Sequence, residues 1–105
     1  FIIRGVNVFP SQIEAALLSV RGTTPNYLIT LTNDNRGMDN VAVEVELSQE
    51  KFNELGENQE PFRRQVSAMV ESVTGIRIAI ALRAPGTLPR SEGKAKRVVD
   101  NRTRS

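Results

Sequence analysis

The chain has 105 residues, 39% of them hydrophobic and 25% charged, with a formal net charge of +2; this is one domain with a single modest core. It contains no cysteine and no histidine, which excludes disulfides, thiolate chemistry, the usual zinc sites and imidazole acid–base catalysis. No apolar run approaches the ~20 residues that a membrane span needs, and Arg4 interrupts the start too early for a signal peptide, so a cytoplasmic protein with no membrane partner and no metal site of its own is expected.

Phe1 to Val8 is apolar with Arg4, Gly5 and Asn7 inserted, which predicts a short extended segment broken at Gly5. A glycine there marks either a bulge that turns the chain or a close approach by a ligand or another backbone. Because the chain opens on Phe1 inside an apolar run, it reads as a piece of something longer. Ser11-Gln12-Ile13-Glu14 has the capping-box form with Ser11 as N-cap, and Pro10 competes as the first helical residue. Ile13, Ala16, Leu17 and Val20 share one helical face, and Gly22 is the expected C-terminal cap.

Tyr27–Thr32 and Val41–Leu47 both alternate, and the turn formers from Asn33 to Gly37 separate them. That predicts an antiparallel hairpin with one wet face. Glu44 and Glu46 fall on the wet face and are read as solvated, without chemistry. Residues 48–58 predict a loop with at most one helical turn. The spacing of Phe62, Val66, Met69, Val70 and Val73 predicts an amphipathic helix ending at Gly75, with Phe62 and Met69 in the core. Ile76, Ile78, Ile80 and Leu82 alternate with Arg77, Ala79 and Ala81 as a third long strand. The fold class expected is α+β: a two-layer sandwich of βαββαβ-like order, with a mainly antiparallel sheet and two helices packed on one face.

The end of the chain is different in character. From Arg83 to Ser105 there are seven Lys and Arg against two acids, Glu92 and Asp100, so this stretch carries +5 and the remainder −3. Pro85, Gly86, Pro89 and Gly93 rule out a regular helix or strand interior between 85 and 93. Residues 84 to 93 therefore lack regular hydrogen-bonding partners and are expected to be the least ordered part of the chain. On charge alone this is either a solvated basic tail or a stiff loop that delivers Lys94, directly after Gly93, to a phosphate.

Two runs decide between these readings. Pro85 through Arg97 and Ile2 through Glu14, the latter including Gly5, Pro10, Ile13 and Glu14 in a Gly-x-x-x-x-Pro-x-x-Ile-Glu pattern, resemble two segments of one family. The chain resembles the C-terminal domain of the adenylate-forming acyl-CoA synthetases, and within them the phenylacetate–CoA ligases. That resemblance implies that residues 1–105 are the mobile C-terminal domain of a two-step ligase whose N-terminal ATP and substrate domain is absent from this fragment. A carboxylate attacks the α-phosphate of ATP to give an acyl-adenylate and pyrophosphate; the domain then rotates, and the thiol of coenzyme A displaces AMP.

The resemblance further implies Lys94 as the catalytic residue of the first step, with Arg90, Ser91 and Gly93 in the ATP-phosphate loop and Lys96 and Arg97 as supporting charge. Arg4, Gly5 and Val6 are implied as the coenzyme A channel of the second step. The implied cofactors are ATP, coenzyme A and magnesium, the metal held mainly by the absent domain. The implied partners are that N-terminal domain and an aryl carboxylic acid such as phenylacetate, which suggests phenylacetate catabolism. The residues agree with this role. A fixed ammonium stabilises charge gathering around phosphorus in the transition state more than in the reactants, and lysine is a compact charge on a flexible stem. The fragment alone is expected to be inactive.

Two other classes share the element order: a small standalone ligand- or RNA-binding module, and a dimerisation domain that would make a homodimer. RNA readers of this shape display aromatic residues on the sheet, and aromatics make up only 5% here, so no nucleic-acid partner is expected.

Overall fold

A computed structural model describes residues 1–88 and 98–102 of the chain. Its centre is the alternating pair, strands β3 (Thr23–Asn33) and β4 (Asp39–Leu47), which run antiparallel with Ile29 opposite Val43 and Leu31 opposite Val41. The turn between them forms because the Asp34 carboxylate accepts from the backbone N–H groups of Arg36 and Met38, and Gly37 takes a φ of +77°. Pro25 sits where the register shifts between Thr23 and Tyr27, the kind of irregularity that tolerates a residue lacking an N–H.

Two further strands flank this pair. β5 (Ala79–Arg83) lies parallel to β4, and β6 (Val98–Asp100) lies parallel to β3, giving the order β5-β4-β3-β6. The sheet is thus mixed: its long central pair is antiparallel, as the alternation implies, and both outer pairings are parallel. Single-strand patterns carry no information on that second point. At the N-terminus, β1 (Ile2–Ile3) and β2 (Val6–Asn7) make a separate small antiparallel hairpin.

Helices α1 (Pro10–Leu18) and α3 (Glu60–Thr74) pack on each other and on one face of the sheet, completing the two layers of the expected α+β sandwich. Ile13 and Leu17 of α1, Val66 and Val70 of α3, and Ile29, Leu31, Val43 and Val45 of the sheet are all inaccessible to solvent. Each such side chain contributes roughly 1.5–3 kcal/mol through burial. Phe62 is buried and Met69 packs half-buried against the cluster, whereas Val73 is exposed and Thr74 takes the inward place. Gly75 ends α3 in the left-handed conformation at φ +80°, as its position predicts.

Three local expectations are corrected. The N-cap of α1 is Phe9 rather than Ser11, so of the two competing starts the one with Pro10 as first helical residue holds, and the Phe9 N–H donates to Gln12 Oε1 at 3.0 Å. The helix then ends at Ser19, whose Oγ donates to the Ala16 carbonyl, so Gly22 lies beyond its cap, at the entry to β3. Residues 49–55 form a two-turn helix, α2 (Gln49–Leu55), capped by the Ser48 side chain accepting from the Lys51 N–H and closed at Gly56.

Candidate functional site

The residues singled out by the sequence fall in two segments, of which the structure describes the first and the approach to the second. The first is the N-terminal hairpin. Between Ile3 and Val6 the chain reverses in two residues, Arg4 at φ +50° and Gly5 at φ +80°. Two consecutive positive φ values are what a type I′ hairpin requires. Gly5 is the natural occupant; Arg4 is the only described residue other than glycine with φ in that region, and such strain collects at functional positions. Its Nε donates to the Asp39 carbonyl at 3.2 Å. A Cβ added at Gly5 would meet nothing within 4 Å, so the tip is open to whatever docks against it. Ile2, Val6 and Phe9 around it are exposed apolar side chains.

Beside the hairpin lies an open groove of roughly 840 Å³. Arg4 lines it from the turn, Asn40 from the start of β4, Arg63, Arg64, Ser67 and Glu71 from α3, and Arg77 from the run into β5. Four guanidiniums from three parts of the chain line it together with the Glu71 carboxylate, and Glu60 stands next to Arg63 and Arg64. Arg63 Nε donates to Glu60 Oε2 at 2.8 Å, Arg64 approaches the same carboxylate at 3.5 Å, and Arg77 meets Glu71 at 3.3 Å. The bond from Arg63 holds the Glu60 carboxyl below its usual range, and the reciprocal contact raises the Arg63 guanidinium. The sequence reading missed this groove, because Arg63, Arg64 and Arg77 look like the wet side of an amphipathic pattern. Only their spacing against Arg4 in three dimensions unites them.

The second surface is the approach to the basic loop. Lys94, Arg90, Ser91 and Gly93, with Lys96 and Arg97, lie outside the described residues, and the structure describes the chain up to Leu88. That approach is ordered by acids. Glu46, next to last in β4, is 1% exposed. Its Oε1 accepts from the Gly86 N–H at 2.9 Å and its Oε2 from the Leu88 N–H at 2.7 Å. Two residues earlier, Glu44 accepts from Arg83 Nε at 2.8 Å. Thr87 N–H and Oγ1 both donate to the Ala84 carbonyl, Gly86 turns at φ +81°, and Leu88 is buried. The reading of Glu46 as solvated is therefore corrected, as is the expectation that residues 84 to 88 lack partners. Alternation put Glu46 on the outer face correctly; what alternation lacks is the returning chain that covers it.

Comparison with known proteins gives this arrangement its context. A family model described as the AMP-binding enzyme C-terminal domain matches residues 5–102. The chain belongs to that family. The phenylacetate-coenzyme A ligase of Pseudomonas putida is 43% identical over 105 residues, covering 99% of this chain and 24% of that protein; the one from Escherichia coli K12 is 37% identical over 101 residues, covering 96% and 23%. This AMP-binding enzyme C-terminal domain thus spans about a quarter of the length of the curated relatives it matches.

Solved structures agree. A domain of phenylacetate-coenzyme A ligase from Bacteroides vulgatus superposes with a TM-score of 0.86 at 35% identity, covering 98% of this chain and 92% of that one. A 2-hydroxyisobutyryl-CoA ligase, solved in complex with 2-HIB-AMP and CoA in its thioesterification state, gives a TM-score of 0.85 at 38% identity, covering 97% and 21%. Among the described residues, no helix is long and apolar enough to cross a membrane.

Proposed function

We propose that this domain belongs to an acid–thiol ligase of the phenylacetate–CoA ligase type, which joins an aryl carboxylic acid to coenzyme A at the expense of ATP. In this reading residues 1–105 are the C-terminal domain and work with an N-terminal domain that holds the ATP and carboxylate pockets. Lys94 supplies the positive charge of the adenylation step, with Arg90, Ser91 and Gly93 in the same phosphate-facing loop. Arg4, Gly5 and Val6 line the path of the pantetheine arm in the thioester-forming step. The observation that carries the reading is likeness over nearly the whole chain to ligases of this kind, one of them solved with both an acyl-adenylate and CoA.

The geometry is consistent with two working faces. The hairpin tip is slim at Gly5 and unobstructed, which suits a narrow amide-linked arm ending in a thiol. The adjoining groove presents planar, permanently charged guanidiniums, which suit phosphate oxygens such as those at the nucleotide end of coenzyme A. Among the described residues no group of three or more acids is arranged to hold a metal. In this reading magnesium is held mainly by the N-terminal domain, as the family resemblance implies.

The test is made on the intact ligase carrying this domain. Lys94→Ala should lower pyrophosphate release from ATP and phenylacetate by at least ~100-fold, the scale on which single electrostatic donors act. Thioester formation from supplied acyl-adenylate and coenzyme A should stay near normal. Retained adenylation in that variant rejects the assignment of Lys94. The 105-residue chain by itself should release no pyrophosphate above its Lys94→Ala control.

A further inference from the structure

We infer that Glu46 is a positioning residue for the adenylation half-reaction: its buried carboxylate fixes where the chain starts toward Lys94. The inference rests on the reading of Lys94 given above. Burying a carboxylate is costly unless charge or hydrogen bonds compensate it. On this face of the sheet Glu46 is 1% exposed, while Ala42 on the same strand face is open to solvent. Its two oxygens hold backbone N–H groups 40 and 42 residues further along, in a segment that belongs to no helix or strand.

An apolar residue would fill the space but leave both N–H groups unsatisfied, and an amide would offer one acceptor oxygen where two are used. A carboxylate is the side chain that accepts from both at once. Gly86 supplies the positive φ that aims its N–H inward, and Leu88 closes over the contact as a buried side chain. Four anchoring features therefore fall within residues 83–88: the Arg83–Glu44 pair, the Gly86 and Leu88 N–H bonds, and the Leu88 side chain.

Lys94 follows Leu88 by six positions. A reacting group misplaced by about 1 Å can lose on the order of 10²-fold in rate, so an anchor this near the lysine bears on its placement. The hairpin at Arg4–Gly5 lies on a different part of the chain, and Arg4 bonds to the Asp39 carbonyl at the opposite end of β4 from Glu46. The second half-reaction should be indifferent to Glu46.

The experiment uses the intact ligase and four proteins: wild type, Glu46→Gln, Glu57→Gln and Lys94→Ala. Pyrophosphate bursts read adenylation, and single-turnover thioester formation from supplied acyl-adenylate reads the other half. Glu46→Gln should lower the adenylation rate at saturating ATP by at least tenfold, with the KM for ATP within about threefold and thioester formation within twofold. Glu57→Gln, on the exposed turn between α2 and α3, should leave both half-reactions within twofold. Equal losses in both halves for Glu46→Gln, or no loss in either, overturn the inference. If Glu46→Gln does not fold, Glu46→Asp, which keeps the charge but withdraws it by one methylene, is held to the same split. Unimpaired adenylation by Lys94→Ala identifies instead a failure of the underlying reading. Loss in Lys94→Ala without loss in Glu46→Gln isolates the failure to this inference.

Discussion

Lys51 lies across Gly22 so closely that a Cβ on the glycine would stand 2.5 Å from Lys51 Cε and 2.8 Å from Cγ. The same lysine donates to Glu54 at 2.6 Å and holds its ammonium 5.0 Å from the Phe62 ring centre. Gly22 itself has φ +109° and accepts from the Ser48 N–H at 2.9 Å. One small residue thus lets α2 dock beside the start of β3. Gly22→Ala should destabilise the domain by more than about 1 kcal/mol, because the backbone conformation is incompatible with a side chain and Lys51 must move. Urea unfolding monitored by circular dichroism measures this; a midpoint equal to wild type would contradict it.

Core and surface leucines should separate cleanly. Leu47 at the end of β4 is fully buried, and Leu18 at the end of α1 is half exposed. Leu47→Ala should cost about 2–5 kcal/mol through lost burial and the cavity left behind. Leu18→Ala, with much of its surface already in water, should stay under about 1 kcal/mol. Denaturation of the pair checks the two-layer packing directly.

At the hairpin, strain and function pull in opposite directions. Arg4→Gly relieves the positive φ at the first turn position and loses the bond to the Asp39 carbonyl, so stability should change by no more than about 1 kcal/mol. Gly5→Leu places a side chain at φ +80° in open space, which strains the turn without an internal clash. In the intact ligase both substitutions should slow thioester formation from supplied acyl-adenylate while sparing the pyrophosphate burst. A reversed pattern would place the coenzyme A path elsewhere.

Glu60 offers a test of the groove's electrostatics. Hydrogen bonding from Arg63 depresses its carboxyl, with the charge of Arg64 adding to the effect. A depressed folded value means that the pair contributes above the ordinary carboxylate range and is lost as pH falls through the lower, folded value. Both partners meet solvent, so the contribution is small and fades with salt. A side-chain NMR titration should show Glu60 protonating at lower pH in wild type than in Arg63→Gln, with the gap narrowing in 1 M salt. Equal midpoints at low salt would dissolve the pair.

Much of the fold was legible from periodicity. The Tyr27–Thr32 and Val41–Leu47 runs are the antiparallel centre, Gly75 is the left-handed cap of α3, and Ile76, Ile78 and Ile80 are buried in alternation with Leu82 partly so, although the strand itself begins only at Ala79. What escaped was tertiary. α2 is short and weakly apolar, with Phe52 and Leu55 only partly buried, and its signals, Ser48 as cap and Gly56 as stop, are local and easily passed over. Val98–Asp100 is three residues long and is a strand only because β3 is there to receive it. Glu46 shows the limit most clearly. Its face was readable from the sequence, but its burial depends on a turn 40 residues away. Of the candidate site, Gly5 was legible as a break in the opening extended segment but not as the tip of a hairpin, whereas Arg63, Arg64 and Arg77 join Arg4 in one groove only through the packing of α3 and the run into β5.

Arg102 has a consequence for how the chain can be cut. Its guanidinium forks onto Asp100 at 2.9 and 3.0 Å, reaches Asp39 at 3.5 Å and donates to the Ile2 carbonyl at 2.8 Å. Residues 2 and 102 are therefore neighbours in space, and the hydrogen bonds between Phe1 and Val8 hold the adjoining hairpin closed. A short linker can join these two ends into a ring without stretching any strand pairing. Reopening that ring in the exposed Asn35–Arg36 turn would give a circular permutant in which β3 and β4 pair across new termini. The order of elements along the chain is then one of several that the same packing accepts.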